Sequence, residues 1–295
     1  MLRWTVRVAL LLTFPLWGLM LLGWKIFVKL VNFIGIQEIR NCKGALQTPS
    51  HCYEHSETKQ IVLLIGMTHI AEKAYFEDIY NIAKFLEEKG RYKILYEFVR
   101  IKPEEVETLD PIEKEFHEQL LVYRSSHQKI AEAMSLQYQF DTDLVFYALP
   151  SWICNDVEGK VFFQKFIKEG MMVASEAEKV EKLIEKTSRP AIQWLVNKMF
   201  SEAAATFLVA KIMCRIIPSK KKFLGLILDW RNEIAARGIL EEIRKGNNVV
   251  SIWGAAHLPG IGKLLEEKGF VKISVDWTTA YQKRKYSLLK AILSL

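Results

Sequence analysis

Two histidines that are far apart in the chain end turns of the same type. His69 ends a Gly-Met-Thr-His turn, and His257 ends a Gly-Ala-Ala-His turn. Glu97 closes the next aliphatic run after the first turn. Two imidazoles and one carboxylate form the smallest ligand set for a catalytic zinc, manganese or cobalt ion that keeps a position open for water. Such an ion makes its water a strong nucleophile near neutral pH and polarises a carbonyl oxygen.

The same residues also allow interpretations that need no metal. Without an ion, one histidine oriented by Glu97 would serve as a general base. A single histidine at a strand end is most often only a hydrogen-bonded loop residue. Two histidines in matched turns favour a functional role.

Arg231 is a further candidate. It lies between Trp230 and Asn232 at the start of a predicted helix, where a positive charge is unfavourable for the helix dipole. A cation held there suggests a partner carboxylate or a substrate oxygen, which the planar guanidinium suits well. The alternative is an ordinary surface arginine.

An internal repeat predicts how these residues are brought together. Lys84–Glu97 reads KFLEEKGRYKILYE and Lys263–Asp276 reads KLLEEKGFVKISVD, and a strand with a Gly-x-x-His turn precedes each copy. Each copy is typical of a helix, a glycine C-cap and a strand. Two such βαβ units in one sheet would place both histidines and both final carboxylates along the rim at the carboxyl ends of the strands. Asp276 would be either an outer group that supports the site or a solvated loop carboxylate.

The whole pattern predicts an α/β fold, with a central, mostly parallel sheet from two βαβ repeats and a large helical insertion at about residues 111–245. The apolar segment AAATFLVAKIMCRII in the insertion is predicted to be a buried core helix, because it carries Lys211 and Arg215 and is too short to span a membrane. Strands are predicted at 61–65, 93–98, 144–149, 248–253 and 271–275, and helices at 71–89, 111–138, 158–217, 224–245 and 260–268.

The N-terminus is predicted to be a membrane segment. Val8–Trp24 is an apolar run without an ionisable residue, and Arg3 and Arg7 precede it. It is at the lower limit of length for a bilayer span and lacks a small-residue cleavage site, which favours an uncleaved transmembrane anchor. Lys25 and Lys29 on its far side leave the orientation open. The predicted organisation is an anchor with a juxtamembrane helix at 1–36, a linker at 37–60 and an α/β domain at 61–295.

Composition narrows the function classes. The net charge is +7, but basic and acidic residues are interspersed and no basic block is interleaved with aromatics, so nucleic-acid binding is not expected. Cys42 and Cys52 would close a short disulfide loop if the chain is exported, and the alternative is unpaired cysteines. His117 and His127 lie on charged helical segments and are expected to be exposed. The sequence contains no nucleotide-binding loop, dinucleotide fingerprint or serine-hydrolase elbow.

Four segments resemble the TraB/GumN/Tiki superfamily, which is related to the erythromycin-esterase and ChaN-like proteins. They are LLIGMTHI, LYEF, DWRNEIA and SIWGAAHLPGIGKLLEEKGF, and the resemblance covers roughly residues 61–276. Carried over residue by residue, the family's active-site residues match His69, Glu97, His257 and Arg231, and an aspartate of its helical part matches Asp156.

The resemblance implies a membrane-anchored, metal-dependent hydrolase. Tiki members are membrane-tethered metalloproteases that act on secreted signalling proteins, and TraB members inactivate peptide pheromones. For this chain we expect an extracytoplasmic domain that hydrolyses a peptide or a small ester or amide, with Mn, Co or Zn held by His69, Glu97 and His257. Its expected partners are this substrate and, through the N-terminal helix, membrane lipid. Two alternatives stay open: a non-catalytic protein that binds or sequesters a peptide in the same crevice, and a structural membrane protein that retains the scaffold.

Overall fold

The computed structural model describes residues 22–31, 36, 38–141, 149–171, 182 and 184–284. These residues form a mixed α/β fold around a central sheet of seven strands, with a separate two-stranded sheet made by β4 and β6. The strands are β1 (Arg40–Cys42), β2 (Ala45–His55), β3 (Ile61–Met67), β4 (Ile70–Ala71), β5 (Tyr92–Tyr96), β6 (Gln137–Tyr138), β7 (Ile153–Cys154), β8 (Asn248–Gly254) and β9 (Phe270–Gln282).

Helices fill most of the sequence between β5 and β8, as the predicted insertion requires. The longest of them starts at a capping box, in which Asp110 accepts hydrogen bonds from the N–H groups of Ile112 and Glu113. The helices of the described part are α1 (22–31), α2 (Lys73–Glu88), α3 (Pro103–Val106), α4 (Pro111–Met134), α5 (Gly159–Lys168), α6 (Arg189–Ser201), α7 (Ala203–Ile216), α8 (Pro218–Leu224), α9 (Trp230–Arg244) and α10 (Leu258–Glu266). A π-helical turn, Gly225–Asp229, joins α8 to α9.

Four adjacent strands of the sheet are parallel, in the order β3, β8, β5 and β7, and β7 is the last strand on that side. Outside them, β2 pairs antiparallel with β3, β9 pairs antiparallel with β2, and β1 forms a hairpin with β2. The predicted α/β class with a mostly parallel central sheet is therefore confirmed. The aliphatic runs of β3 and β8 are explained by their place inside the sheet, where both faces of a parallel strand are covered.

Side chains alternate between the two faces of the sheet along each strand, so these apolar strands present apolar side chains on both faces. Helices cover both faces. Leu64, Val249 and Trp253 pack with α9 and α10 on one face. Ile65 and Ile252 pack with α2 on the other face. In such a doubly covered sheet, the crevice beyond the carboxyl ends of the strands is left for ligands.

The internal repeat forms the predicted elements, but its two copies do not take equivalent places. The first copy is β3, α2 and β5, and the second is β8, α10 and β9. Gly90 and Gly269 follow the two helices with φ angles of 81° and 86°, a conformation that favours glycine. The strands of the first copy flank β8, whereas β3 and β2 lie between the strands of the second. The prediction of two equivalent units along one rim is therefore wrong.

Asp276 consequently lies away from the rim predicted for it. It occupies the middle of β9 opposite Ser50, and its side chain is exposed. Four strand spacings of about 4.8 Å separate β9 from β5, or about 19 Å. Its position matches a solvated carboxylate rather than a group that supports Glu97.

Residues 37–60, predicted to be an irregular linker, mostly form strands of the central sheet. β2 pairs with β3 along one side and with β9 along the other, so its backbone is hydrogen-bonded on both sides. Polar side chains find partners inside the fold, as where the hydroxyl groups of Thr48 and Tyr75 lie 2.8 Å apart. The linker prediction is wrong because pairing with distant strands stabilises this segment as a strand. Such pairing leaves no apolar periodicity in the sequence.

The two cysteines of this segment lie in different parts of the β1–β2 hairpin. Cys42 is opposite Ala45, and Cys52 is seven residues further along β2. At about 3.4 Å per residue this places their Cα atoms roughly 24 Å apart, far beyond the span of a disulfide. Both are free thiols, so the unpaired alternative holds.

The apolar segment predicted to be a buried core helix forms α7 and is largely exposed. Only Ala204 and Ala205, in its first turn, are buried, where they pack against α1. The core-helix prediction is wrong because α7 is covered on one side only. Leu208 packs against α1 and Lys211 pairs with Glu38 on that side, while the apolar residues of the other side are exposed.

Most of the predicted anchor lies outside the described residues, since only 22–24 of Val8–Trp24 belong to α1. The strand predicted at 144–149 also lies outside them, apart from its last residue. Every helix that the structure describes is too short or too polar to cross a bilayer.

Candidate functional site

Four adjacent strand ends gather the ionisable residues of the site. His69 follows β3, Glu97 follows β5 and Asp156 follows β7. His257 ends the single 3-10 turn that follows β8. These strands are parallel neighbours, so all four side chains start from the same edge of the sheet.

The backbone of β8 holds Glu97 at the centre of this edge. The N–H of Glu97 donates to the carbonyl oxygen of Ile252 at 2.9 Å, which extends the β5–β8 pairing by one residue. Its Oε2 accepts the N–H of Gly254. A Cβ at position 254 would lie 3.2 Å from that oxygen, so the glycine lets the carboxylate approach the turn.

Arg231 joins Glu97 to Asp156 in a buried ion-pair network. Its Nη2 donates to Glu97 Oε1 at 2.7 Å, and its Nε donates to Asp156 Oδ1 at 3.0 Å. The guanidinium carbon also lies 5.4 Å from the centre of the Trp253 ring. α8 and the π-helical turn run into α9 without a break, so Arg231 does not lie at a free helix start and the conflict with a helix dipole that the sequence predicted is absent. The partner carboxylate that the sequence suggested is thus present twice.

The network determines which groups are charged. Burial alone would raise the pKa of Glu97, but the guanidinium of Arg231 and smaller contributions from nearby groups lower it to about 2. Burial lowers the pKa of His257 to about 4, although Glu97 opposes this. Burial also raises the pKa of Asp156 against the opposing charge of Arg231. At neutral pH, Glu97 is therefore ionised and His257 is neutral.

Asn232 holds the ring of His257 in one orientation. Nδ1 of His257 lies 2.7 Å from Oδ1 of Asn232. Because an amide oxygen only accepts hydrogen bonds, Nδ1 carries the proton and the lone pair is on Nε2, 3.6 Å from Glu97 Oε1. Gly260 makes room for this arrangement, since a Cβ there would lie 2.1 Å from Asn232 Nδ2.

His69 repeats this arrangement with a different amide. Its Nδ1 lies 2.7 Å from Oε1 of Gln139, so the lone pair of the neutral ring is again on Nε2. Its positively charged form would lower the pKa of both Glu97 and His257, which places it within electrostatic reach of both. Unlike those two residues, His69 is exposed.

His127 lies beside His69, and the prediction that it is exposed is wrong. It is half-buried rather than exposed, with its ring centre 6.2 Å from that of His69 and 6.0 Å from that of Tyr138. Burial lowers its pKa. His117, predicted in the same way, is only partly exposed and packs against Phe163.

The donor chemistry of the site fits a divalent ion, although its side chains do not form a complete metal cage. Two Nε2 lone pairs and one ionised carboxylate are suitable ligands. Amide oxygens behind both Nδ1 atoms are the kind of contact that orients metal-binding histidines. However, Arg231 bonds one oxygen of Glu97, and no three His, Cys, Asp or Glu side chains among the described residues are grouped so as to hold a metal.

Sequence reasoning does not single out the two amides that orient the histidines. Asn232 directly follows Arg231 and shares its motif, which is a usable signal. Gln139 is 70 residues from His69, so only the fold reveals that pairing. Of the site residues predicted from the sequence, only Asp276 lies away from this edge. The predicted site residues that lie at the edge are His69, Glu97, Asp156, Arg231 and His257.

No protein-family model and no curated protein matches the chain. The family assignment made from the motifs therefore stays a prediction, and only the geometry of the strand ends bears on function.

Proposed function

We propose that this protein is a membrane-anchored hydrolase of peptide, ester or amide bonds that uses a divalent ion, Zn, Mn or Co. The proposed ligands are His69, His257 and Glu97, and the proposed family is the TraB/GumN/Tiki superfamily. One observation carries the proposal. Each histidine has its Nδ1 held by a side-chain amide oxygen at 2.7 Å, which leaves the Nε2 lone pair of each neutral ring for a ligand, and Nε2 of His257 lies 3.6 Å from Oε1 of Glu97.

The residues around the proposed ion have separate tasks. The ion itself would supply an activated water and polarise the carbonyl group of the substrate. Arg231 keeps Glu97 ionised, and burial keeps His257 neutral, so both remain ligands well below neutral pH. Each carboxylate oxygen accepts more than one hydrogen bond, so Glu97 keeps acceptor capacity beyond Arg231 and Gly254.

Access to the site favours a substrate that arrives from the side of His69. His69 is exposed, whereas the side chain of Glu97 is 14% exposed and that of His257 only 5%. A peptide or small ester reaching His69 would meet the two buried ligands next. The proposed location is the membrane, through residues 8–24, with the α/β domain outside the cytoplasm.

The metal content of the full-length protein tests the proposal. After incubation with Zn, Mn or Co and gel filtration, we expect about one equivalent of ion in the wild type. His69→Ala and His257→Ala should each lose it. His117→Ala is the matched control, because His117 packs against Phe163 on α4 and α5 rather than at the strand ends. A wild type that takes up no ion, or two variants that retain it, would show the proposal to be wrong.

Catalysis is measured separately, with a degenerate peptide library and mass spectrometry. Wild-type protein should release products, and Glu97→Gln, which keeps the size of the side chain but removes its charge, should not. Peptide binding without products would favour the non-catalytic alternative. The non-catalytic alternative is supported by the network of Arg231 with Glu97 and Asp156, because paired buried charges can also have a purely structural role.

A further inference from the structure

α7 and α8 belong to a strongly basic and apolar segment that the candidate site does not use. From residue 203 to residue 228 the sequence has five Lys or Arg residues and no acidic residue. Residues 1–37 have four Lys or Arg residues and, again, no acidic residue. These nine cations exceed the net charge of +7, so the excess positive charge of the chain is concentrated in these two segments.

α7 exposes a continuous apolar stripe. Its members follow the i, i+3, i+4, i+7 spacing that defines one face of a helix. They are Val209, Ile212, Met213 and Ile216, which are 38%, 46%, 48% and 69% exposed. The other side of the helix is occupied, since Ala204, Ala205 and Leu208 pack against α1 and Lys211 pairs with Glu38.

α1 lies against α7 and has an apolar stripe of its own. Trp24 donates its indole N–H to Glu202, beside the start of α7, at 2.8 Å, while Phe27 and Val31 pack against the first turn of α7. On its outer side, Leu22, Ile26 and Leu30 are each more than half exposed. In the sequence, the apolar run Val8–Trp24 overlaps the start of α1, so the proposed anchor and the stripe of α7 are linked through α1.

Basic side chains follow the stripe along the chain, first on α7 and then on α8. Arg215, Lys220 and Lys221 are exposed, and none of them has an ion-pair partner among the residues that the structure describes. Lys222 pairs with Glu169 at 2.8 Å. The outer surface of α7 and α8 is therefore both apolar and cationic.

This chemistry favours a lipid surface over a protein partner. Lysine is depleted in protein–protein interfaces, whereas lysines next to an apolar face are attracted to anionic lipid headgroups. The 14 residues of α7 extend about 21 Å, less than the roughly 30 Å of a hydrocarbon core, so the helix would lie along the bilayer. The exposed apolar residues of β9 lack this character, because the strand carries one lysine, Lys272, and one aspartate, Asp276, and so has no excess of positive charge.

We propose that the stripe of α7, with Arg215 and the lysines of α8, docks on an anionic phospholipid bilayer as a second membrane contact. The inference rests on the proposed membrane anchoring and not on the proposed chemistry. α8 continues through the π-helical turn into α9, which carries Arg231. Docking of α7 therefore fixes how the strand-end site is turned relative to the membrane.

Hydroxyl-radical footprinting of the unmodified full-length chain tests this docking. The chain is placed in nanodiscs of phosphatidylcholine with or without phosphatidylserine, at one copy per disc. We expect modification of Met213 to fall several-fold when phosphatidylserine is present. Phe85, on α2 and 57% exposed, is the internal control and should not change. In a variant with Lys220→Glu and Lys221→Glu, the effect of phosphatidylserine on Met213 should disappear.

Two results would overturn the docking. In the first, Met213 is modified as fast in phosphatidylserine discs as in discs without it. In the second, Met213 is protected in both lipids and in the lysine variant, which would indicate a protein contact instead. Flotation of the chain with liposomes of phosphatidylcholine alone measures the N-terminal anchoring, because the docking requires anionic lipid. Metal content measures the proposed chemistry, so a failure of either is distinguishable from a failure of docking.

Discussion

Replacing Arg231 by methionine tests the buried network most directly. Methionine keeps much of the length of the side chain but removes its charge and its donors. The change leaves Glu97, 14% exposed, and Asp156, fully buried, without their shared cation. Removing one partner of a buried ion pair typically lowers the free energy of unfolding by about 3–5 kcal/mol. We expect a loss of about 4 kcal/mol at neutral pH, because two carboxylates depend on this one guanidinium.

The same contacts predict how the loss changes with pH. In the wild type the pKa of Glu97 is lowered from 4.5 to about 2. Its contribution to stability is therefore complete above pH 4.5 and is lost as the pH falls toward 2, and it amounts to about 3 kcal/mol at about 1.4 kcal/mol per pKa unit. Without Arg231, Glu97 protonates more readily in the folded state. Burial then raises the pKa of Glu97 in the variant, and the two unfolded chains titrate alike. The difference in the free energy of unfolding between wild type and variant should therefore narrow as the pH falls from this raised pKa toward 2.

Urea unfolding followed by circular dichroism measures this difference in the full-length protein at pH 7 and pH 4. Arg237→Met is the matched control, because Arg237 is exposed on the same helix. A double variant, Glu97→Gln with Arg231→Met, removes one unpaired charge and should recover part of the loss. The reasoning fails if Arg231→Met lies within about 1 kcal/mol of Arg237→Met at pH 7, or if the difference does not change with pH.

Two further predictions concern the surroundings of His257. In metal-free protein the imidazole of His257 should titrate near pH 4 by ¹⁵N NMR, because burial lowers its pKa from 6.5, and a midpoint near 6.5 would contradict this. The contribution of His257 to the free energy of unfolding is therefore complete above pH 6.5 and is lost as the pH falls toward 4. Gly260→Ala would bring a Cβ to 2.1 Å from Asn232 Nδ2 and should lower the free energy of unfolding by about 1–3 kcal/mol. Gly23→Ala, which meets nothing within 4 Å, is its control, and equal stability of the two variants would refute the predicted clash.

The parallel centre of the sheet was readable from the sequence because burial on both faces leaves a local signature. The aliphatic runs at 61–65 and 248–253 became β3 and β8, with bounds that differ by no more than two residues. β2 left no such signature, because its stability comes from pairing with β3 and β9. For α7 the local pattern was present but was misinterpreted, because its apolar residues form an exposed stripe and not the buried face of a core helix.

Residue types and their order along the chain were sufficient to identify His69, Glu97 and His257 as candidates, because each follows a segment whose own pattern indicates a strand. Which of these side chains meet depends on strand order, and no local pattern encodes it. β8 comes late in the chain yet lies between β3 and β5, which brings His257 to Glu97. β9, the last strand of the repeat, pairs with β2 instead and so lies on the far side of β3. Arg231 reaches Asp156 for the same reason: β7 and α9 are distant in sequence but meet at one edge once the parallel strands have paired.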